Sequence, residues 1–289
     1  MQNLIRIVVA TDFSVPANAA VTRATLLAQQ HGAELHLLHV LSPLALYPGQ
    51  AIESAAIGDA RPAAAHSQLN AIAGRLLERF DIHVHIAQRI GRAHTCIREY
   101  ANEVAADLVV AGGRGEDSLL NLMLGSTVWR LLRVCERSVL IVRHAPIGPY
   151  CQVLAAVDFF PYTQAVCDWA GRLAGDAQVH LLHVVPVSER DLRQAGQGNT
   201  AIRQRHEEMR GIANGLMANL RSALPYATEI HIETGYPPVL ILQHATHCNA
   251  DLIVLGRQGQ GGLEVHLLGS VSKNVAQAAN CDVLLVNAD

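Results

Sequence analysis

Leu35-His36-Leu37-Leu38-His39-Val40 decides the reading of this chain, because it returns as Val179-His180-Leu181-Leu182-His183-Val184 after 179 − 35 = 144 residues. Gly91 and Gly235 share that offset, as do Ala106-Asp107-Leu108-Val109-Val110 and Ala250-Asp251-Leu252-Ile253-Val254. Gly125-Ser126 and Gly269-Ser270 share it too. Asp12 matches Asp158 at 146, which predicts a first helix two residues shorter in the second copy. A period this long is a duplicated domain and not a solenoid repeat. The join falls in the short Pro/Gly stretch His144-Ala145-Pro146-Ile147-Gly148-Pro149-Tyr150, giving domains at 1–146 and 149–289.

Each copy alternates aliphatic runs with helical segments. In the first, strands are predicted at about 5–11, 34–40, 82–87, 107–112 and 138–143, and helices at about 16–31, 64–80, 93–104 and 125–134. Pro16 after Ser14, and Pro161 in the second copy, stand where a helix should open. Continuous aliphatic strands alternating with helices argue an α/β fold of two tandem doubly wound domains, each a five-stranded parallel sheet flanked by helices. Such sheets bind ligands beyond the carboxyl ends of their strands, where the strand order reverses. The stretch from Leu41 to Ala65, rich in Pro, Gly and Ala, reads as a surface loop.

Composition narrows the function classes. Half of the 289 residues are hydrophobic, 4% are aromatic and 16% are charged, so aliphatic side chains carry the burial. Net charge is −3 and no basic block stands out, which argues against nucleic acid as a partner. Cys96, Cys135, Cys151, Cys167, Cys248 and Cys281 are scattered without a C-x-x-C pair, the pattern of a reducing compartment. Met1 runs directly into a strand-like segment, and no run of ~18 apolar residues occurs, so a cytoplasmic protein without a membrane partner is expected.

After the fourth strand the first copy has Gly112-Gly113-Arg114-Gly115, nine residues, then Gly125-Ser126; the second has Gly256-Arg257-Gln258-Gly259, nine residues, then Gly269-Ser270. Glycines let a backbone approach a phosphate closely. The Gly-Ser pair opens a helix whose unpaired N–H groups and dipole favour an anion. Strand-ending glycines and helix-capping serines are common singly, and it is the whole pattern that points to phosphate.

This pattern, together with Thr11-Asp12-Phe13-Ser14 at the end of strand one, resembles the ATP-binding branch of the universal stress protein family, twice over. The resemblance implies the adenine-nucleotide alpha-hydrolase-like fold. It also implies that Asp12 and Asp158 receive the adenine amino group and that the backbone at Val40 and Val184 meets the ring edge. Ribose and phosphates then fall to Gly112, Gly115, Gly125 and Ser126 in copy one, and to Gly256, Gly259, Gly269 and Ser270 in copy two. A further hydroxyl follows as Thr127 in copy one, where Val128 holds the family's usual position, and as Ser272 in copy two. Thr11 precedes Asp12, whereas Val157 precedes Asp158. Ser138 and Asp282 stand where the family often has proline. ATP, with or without Mg²⁺, is the implied ligand, with AMP and ADP left open. Two correctly spaced hydroxyls predict tighter binding in copy two.

Fifteen histidines raise the question of a metal. His36 and His39, like His180 and His183, are three apart on a strand and point to opposite faces. His83 with His85, and His244 with His247, could pair, but no third ligand stands beside them in sequence, and no metal is expected. There is no Walker lysine motif and no G-x-S-x-G elbow, and neither Asp12 nor Ser126 has an evident catalytic partner. Arg114 and Arg257 could supply charge, although a loop arginine is more often solvated. The leading reading is a nucleotide-responsive sensor read by a protein partner. The others are a slow ATPase or nucleotide-transferring enzyme on the same cradle, and a scaffold with vestigial sites. The aliphatic fifth strands, Val139–Val142 and Val283–Val286, should form sheet edges that need covering. An intramolecular pseudo-dimer through them is expected, and the resemblance leans towards a homodimer of whole chains.

Overall fold

The computed structural model describes residues 4–42, 60–113, 124–188, 191, 200–224, 226–258 and 268–287. The chain divides into two compact units, Asn3–Ile147 and Gly148–Asp289.

In the first unit the elements are β1 (Arg6–Thr11), α1 (Val15–His31), β2 (Glu34–Leu41), α2 (Arg61–Arg79), β3 (His83–Ile90), α3 (Ala93–Glu103), β4 (Leu108–Gly112), α4 (Ser126–Val134) and β5 (Ser138–Val142). All neighbouring strands are parallel, in the order β3-β2-β1-β4-β5. The order reverses between β1 and β4. Leu35, Leu37, Leu38, Val109 and Val110 are buried, as strands covered by helices on both faces must be. Strand β3 runs three residues further than its aliphatic run, because Gln88, Arg89 and Ile90 continue the ladder opposite His39, Val40 and Leu41.

The second unit repeats the plan with β6 (Gln152–Val157), α5 (Thr163–Ala174), β7 (Gln178–Pro186), α6 (Thr200–Ala223), β8 (Ala227–Gly235), α7 (Pro237–His247), β9 (Leu252–Gly256), α8 (Ser270–Ala278) and β10 (Asp282–Val286). Its order is β8-β7-β6-β9-β10, again parallel throughout.

The repeated landmarks now have physical reasons. Asp107 accepts the N–H groups of Ile5 and Arg6 at 2.7 and 2.9 Å, fastening the start of β1 to that of β4. Asp251 does the same for Cys151 and Gln152 at 2.7 and 3.2 Å. Gly91 and Gly235 end the third strands at φ +154° and +153°, a backbone region side chains rarely enter.

Where the halves differ, a lost partner explains it. Ser14 caps α1, its Oγ accepting from Ala17 N–H at 3.3 Å, with Pro16 in the first turn. Phe160 holds that position in the second half (160 − 14 = 146) and has no hydroxyl. Helix α5 therefore opens at Thr163, two residues after Pro161, with no side-chain cap.

Asp282, where a proline was the family expectation, is buried and accepts from the Tyr150 hydroxyl at 2.8 Å. Tyr150→Phe leaves that carboxylate short of one donor. It should lower stability by about 1–3 kcal/mol in urea denaturation with an unchanged m-value.

Candidate functional site

The turn after strand one is built alike in both halves. Phe13 and Phe159 adopt φ +67° and +61°, a left-handed conformation that costs a bulky residue energy. The turn holds because the aspartate before it accepts from two residues on: Asp12 Oδ1 takes the Ser14 N–H at 3.1 Å and the Ser14 hydroxyl at 2.5 Å, and Asp158 Oδ1 takes the Phe160 N–H at 3.1 Å. Each phenyl ring lies over a histidine of strand two, Phe13 on His39 and Phe159 on His183, both with centroids 4.5 Å apart. Those histidines donate through Nδ1 to the carbonyls of Thr11 and Val157 at 2.8 Å. Burial pulls His183 below its usual range, in keeping with a neutral ring whose one proton is committed to that bond.

The remaining oxygen of each aspartate, Oδ2, has no protein partner among the described residues. Strand register sets its surroundings. Thr11 lies opposite His39, so Asp12 stands one step on beside Val40; Val157 lies opposite His183, which puts Asp158 beside Val184. Thr11 is itself buried, its Oγ1 accepting from Phe13 N–H at 3.0 Å, and so serves the turn.

Burial raises Asp158 above the usual carboxylate value of 3.8, against the lowering effects of the Phe160 N–H and of His183. Its folded pKa exceeds its unfolded one. The unliganded fold therefore gains stability as pH falls through the window above 3.8, while a ligand that needs the ionised form loses affinity there. Nucleotide affinity in the second half should weaken on acidification before an ordinary aspartate would titrate. Calorimetry across pH on an Asp12→Asn chain, which isolates that half, checks this.

The second wall is the start of α4 or α8, tied back to the end of the fourth strand. Gly125 N–H donates to the Gly113 carbonyl at 3.0 Å and Gly269 N–H to the Arg257 carbonyl at 2.9 Å. The starts of α4 and α8 are thereby placed at the C-terminal end of each sheet. Neither helix start has a side-chain cap. Ser126, Thr127 and Ser270 are exposed there with hydroxyls that no described residue engages. Gly115 and Gly259, with Arg114, lie outside the described residues.

Three expectations need correction. Ser272 is not an open donor: it is buried, and its hydroxyl is held between the carbonyls of Gly256 at 2.8 Å and Arg257 at 3.0 Å. It pins the loop root, and the argument for tighter binding in copy two loses its second hydroxyl. Arg257 is buried and not solvated. Gly112 meets protein at close range, since a Cβ there would lie 2.7 Å from the Pro16 carbonyl oxygen. Its smallness lets α1 approach β4, as Gly256 admits Tyr162, whose Cβ would lie 2.9 Å away.

Sequence reasoning missed a histidine cluster of the second half, His180, His231 and His244. The signal was present: Glu229-Ile230-His231-Ile232-Glu233 alternates polar and aliphatic residues, which puts Glu229 and His231 on one face of a strand.

Two parallel-sheet domains in tandem, each with an aspartate turn and a Gly-Ser helix start at the switch point, define a duplicated doubly wound α/β protein. The sequence profile of the universal stress protein family matches residues 5–143 and again 149–287, and the chain belongs to that family in its tandem form. A universal stress protein of Mycolicibacterium smegmatis is 28% identical over 97% of this chain and 96% of its own length. Universal stress protein E of Salmonella typhi is 27% identical over 63% of this chain, and the match spans 61% of that protein's length. Among solved structures, a universal stress protein from Archaeoglobus fulgidus superposes with a TM-score of 0.71 at 19% identity, covering 98% of both chains. A functionally unknown protein from Pseudomonas aeruginosa does so with 0.71 at 23%, covering 100% of this chain and 94% of that one. These two likenesses speak for the fold. No helix among the described residues is long and apolar enough to cross a membrane.

Proposed function

We propose that each half binds an adenine nucleotide, ATP first among them, and that occupancy is read by a protein partner in a cytoplasmic stress response. One observation carries the reading. In both halves an aspartate spends one carboxylate oxygen on its own turn and keeps the other open, beside the strand-two backbone and on the same sheet edge as an uncapped helix start. An open carboxylate oxygen accepts from an exocyclic amine, and an uncapped helix start with hydroxyls takes phosphate. Binding is favoured over rapid turnover, because among the described residues here the one hydroxyl paired with a carboxylate, Ser14 on Asp12, is spent on the turn and on the cap of α1. Burial pushes the Cys167 and Cys281 thiols up to about 12, which removes them as thiolate nucleophiles near neutral pH.

The test is to acid-denature freshly purified full-length protein, identify the released nucleotide, and titrate the emptied chain with Mg-ATP by calorimetry. Retained adenine nucleotide and two binding events per chain are expected. Micromolar protein that takes up no ATP, ADP or AMP overturns the reading, and rapid phosphate release would replace the sensor with an enzyme.

A further inference from the structure

In the first half the Tyr100 hydroxyl on α3 is hydrogen-bonded to His36 Nδ1 of β2 at 3.0 Å. The repeat offset puts His244 in place of that tyrosine in the second half (244 − 100 = 144). What results is a convergence of three imidazoles from three elements. His180 on β7, His231 on β8 and His244 on α7 each bring one ring nitrogen within 4.8 Å of the others. His180 Nδ1, His231 Nε2 and His244 Nε2 are all buried, and none has a hydrogen-bond partner among the described residues. Buried polar atoms are normally paired. Three ring nitrogens gathered in one small volume, with only the Glu229 carboxylate beside two of them, match an ion that accepts several lone pairs at once.

We infer that His180, His231 and His244 form a divalent-metal site with Glu229 beside two of them, and that Zn²⁺ is the ion it fits. Three imidazoles with a fourth position left to water are a zinc donor set in tetrahedral geometry. Glu229 Oε2 lies 3.2 Å from His231 Nε2 and 3.4 Å from His180 Nδ1. Ligands at zinc bond lengths of about 2.0–2.1 Å stand about 3.3 Å apart along a tetrahedron's edge. Glu229 thus stands at ligand spacing from two of the three histidines, the side from which a carboxylate would favour a cation.

The surroundings hold His180 in the tautomer a metal needs. Its Nε2–H donates to Gln152 Oε1 at 2.9 Å, which leaves Nδ1 with its lone pair towards the cluster. The Gln152 amide is oriented in turn by donating through Nε2 to Gln178 Oε1 at 3.1 Å. Such outer partners fix ring orientation in metal sites. The β7–β8 ladder shifts register at Val179/His180, leaving His180 opposite Glu229 and diagonal to His231. A bulge of this kind re-aims a side chain.

The first half supplies an internal control. Its Glu34, His36 and His85 also gather, but Glu34 Oε2 is engaged by Arg6 Nε at 3.3 Å and stands 3.7 and 4.0 Å from the histidines. A guanidinium at the carboxylate opposes a cation there, and Tyr100 already takes His36 Nδ1, the nitrogen that His180 turns to its cluster. The inferred site lies about 13 Å along β7 from Val184, four residues at about 3.3 Å each. Metal and nucleotide are therefore separate inputs to one domain.

The experiment uses the full chain, stripped with chelator, dialysed, and titrated with ZnCl₂. One equivalent per chain is expected, with a raised melting temperature, and Co²⁺ in place of zinc should give the visible absorption of a tetrahedral nitrogen–oxygen site. Gln152→Leu should weaken zinc about 10–100-fold through the outer shell, and His231→Gln by more. His244→Tyr restores the first half's own residue, and should fold, as circular dichroism would verify, yet lose the site. His85→Gln should leave zinc affinity unchanged. No saturable zinc binding, a wild-type cobalt complex without tetrahedral absorption, unchanged affinity in His244→Tyr, or equal loss in His85→Gln would each overturn the inference.

Discussion

Gly112→Ala should destabilise the first half by about 1–3 kcal/mol whether or not nucleotide is present. The added Cβ would stand 2.7 Å from the Pro16 oxygen and 2.8 Å from its carbonyl carbon, both main-chain atoms. That turn of α1 is held by the Ser14 cap, so it cannot step aside as a side chain would. Gly113→Ala is the matched control. Its Cβ would lie 3.2 Å from Arg143 Cδ, a flexible neighbour, and a smaller loss is expected. Thermal and denaturant unfolding of ligand-free protein separates the two. A Gly112→Ala chain of undiminished stability that binds ATP less well would mean that the glycine serves the ligand first.

The other large effect is expected from Asp12→Asn combined with Asp158→Asn. Asparagine keeps a carbonyl oxygen for the turn, so the contacts with Ser14 and Phe160 survive and stability should change little. The open oxygen becomes an NH₂ group, a donor facing the donor of an adenine ring. A hydrogen bond to a charged group contributes about 1.5–3 kcal/mol, so each site should weaken about 10–150-fold. Inosine triphosphate, which offers an oxygen where adenine has its amine, should lose much less. Calorimetry with both nucleotides reads this directly, and unchanged ATP affinity in the double variant would remove the aspartates from the site.

How much of this was legible depends on whether the deciding partner is local in sequence. The repeat, the ten strands and the helices followed from aliphatic runs and landmarks such as Asp107 and Asp251. Asp12 and Asp158 were singled out by resemblance alone, and the turn each organises came only with the fold. Gly112 was misread because the atom that constrains it, the Pro16 oxygen, comes from another element ninety-six positions earlier (112 − 16 = 96). Ser272 showed a hydroxyl at the expected spacing, but only the fold shows it buried against the loop carbonyls. The histidine cluster draws on β7, β8 and α7 and on a register shift at His180, and adjacency in the chain revealed none of it. The late start of α5 was readable in principle, since Phe160 visibly lacks the cap that Ser14 supplies.

The Tyr150–Asp282 pair bears on how a chain with two near-copies of one domain avoids confusing them while it folds. The corresponding positions of the first half are Leu4 (150 − 146) and Ser138 (282 − 144), both buried. Were the opening strand of one half to insert into the nascent sheet of the other, Asp282 would lose the Tyr150 hydroxyl and meet a leucine in its place. A buried carboxyl group that loses a donor costs stability. Tandem repeats are prone to such exchanges between neighbours, and two substitutions that fit only each other discriminate correct from crossed assembly. The pair thus gives the second half a buried mark that the first half lacks, by which a correctly placed opening strand differs from a crossed one.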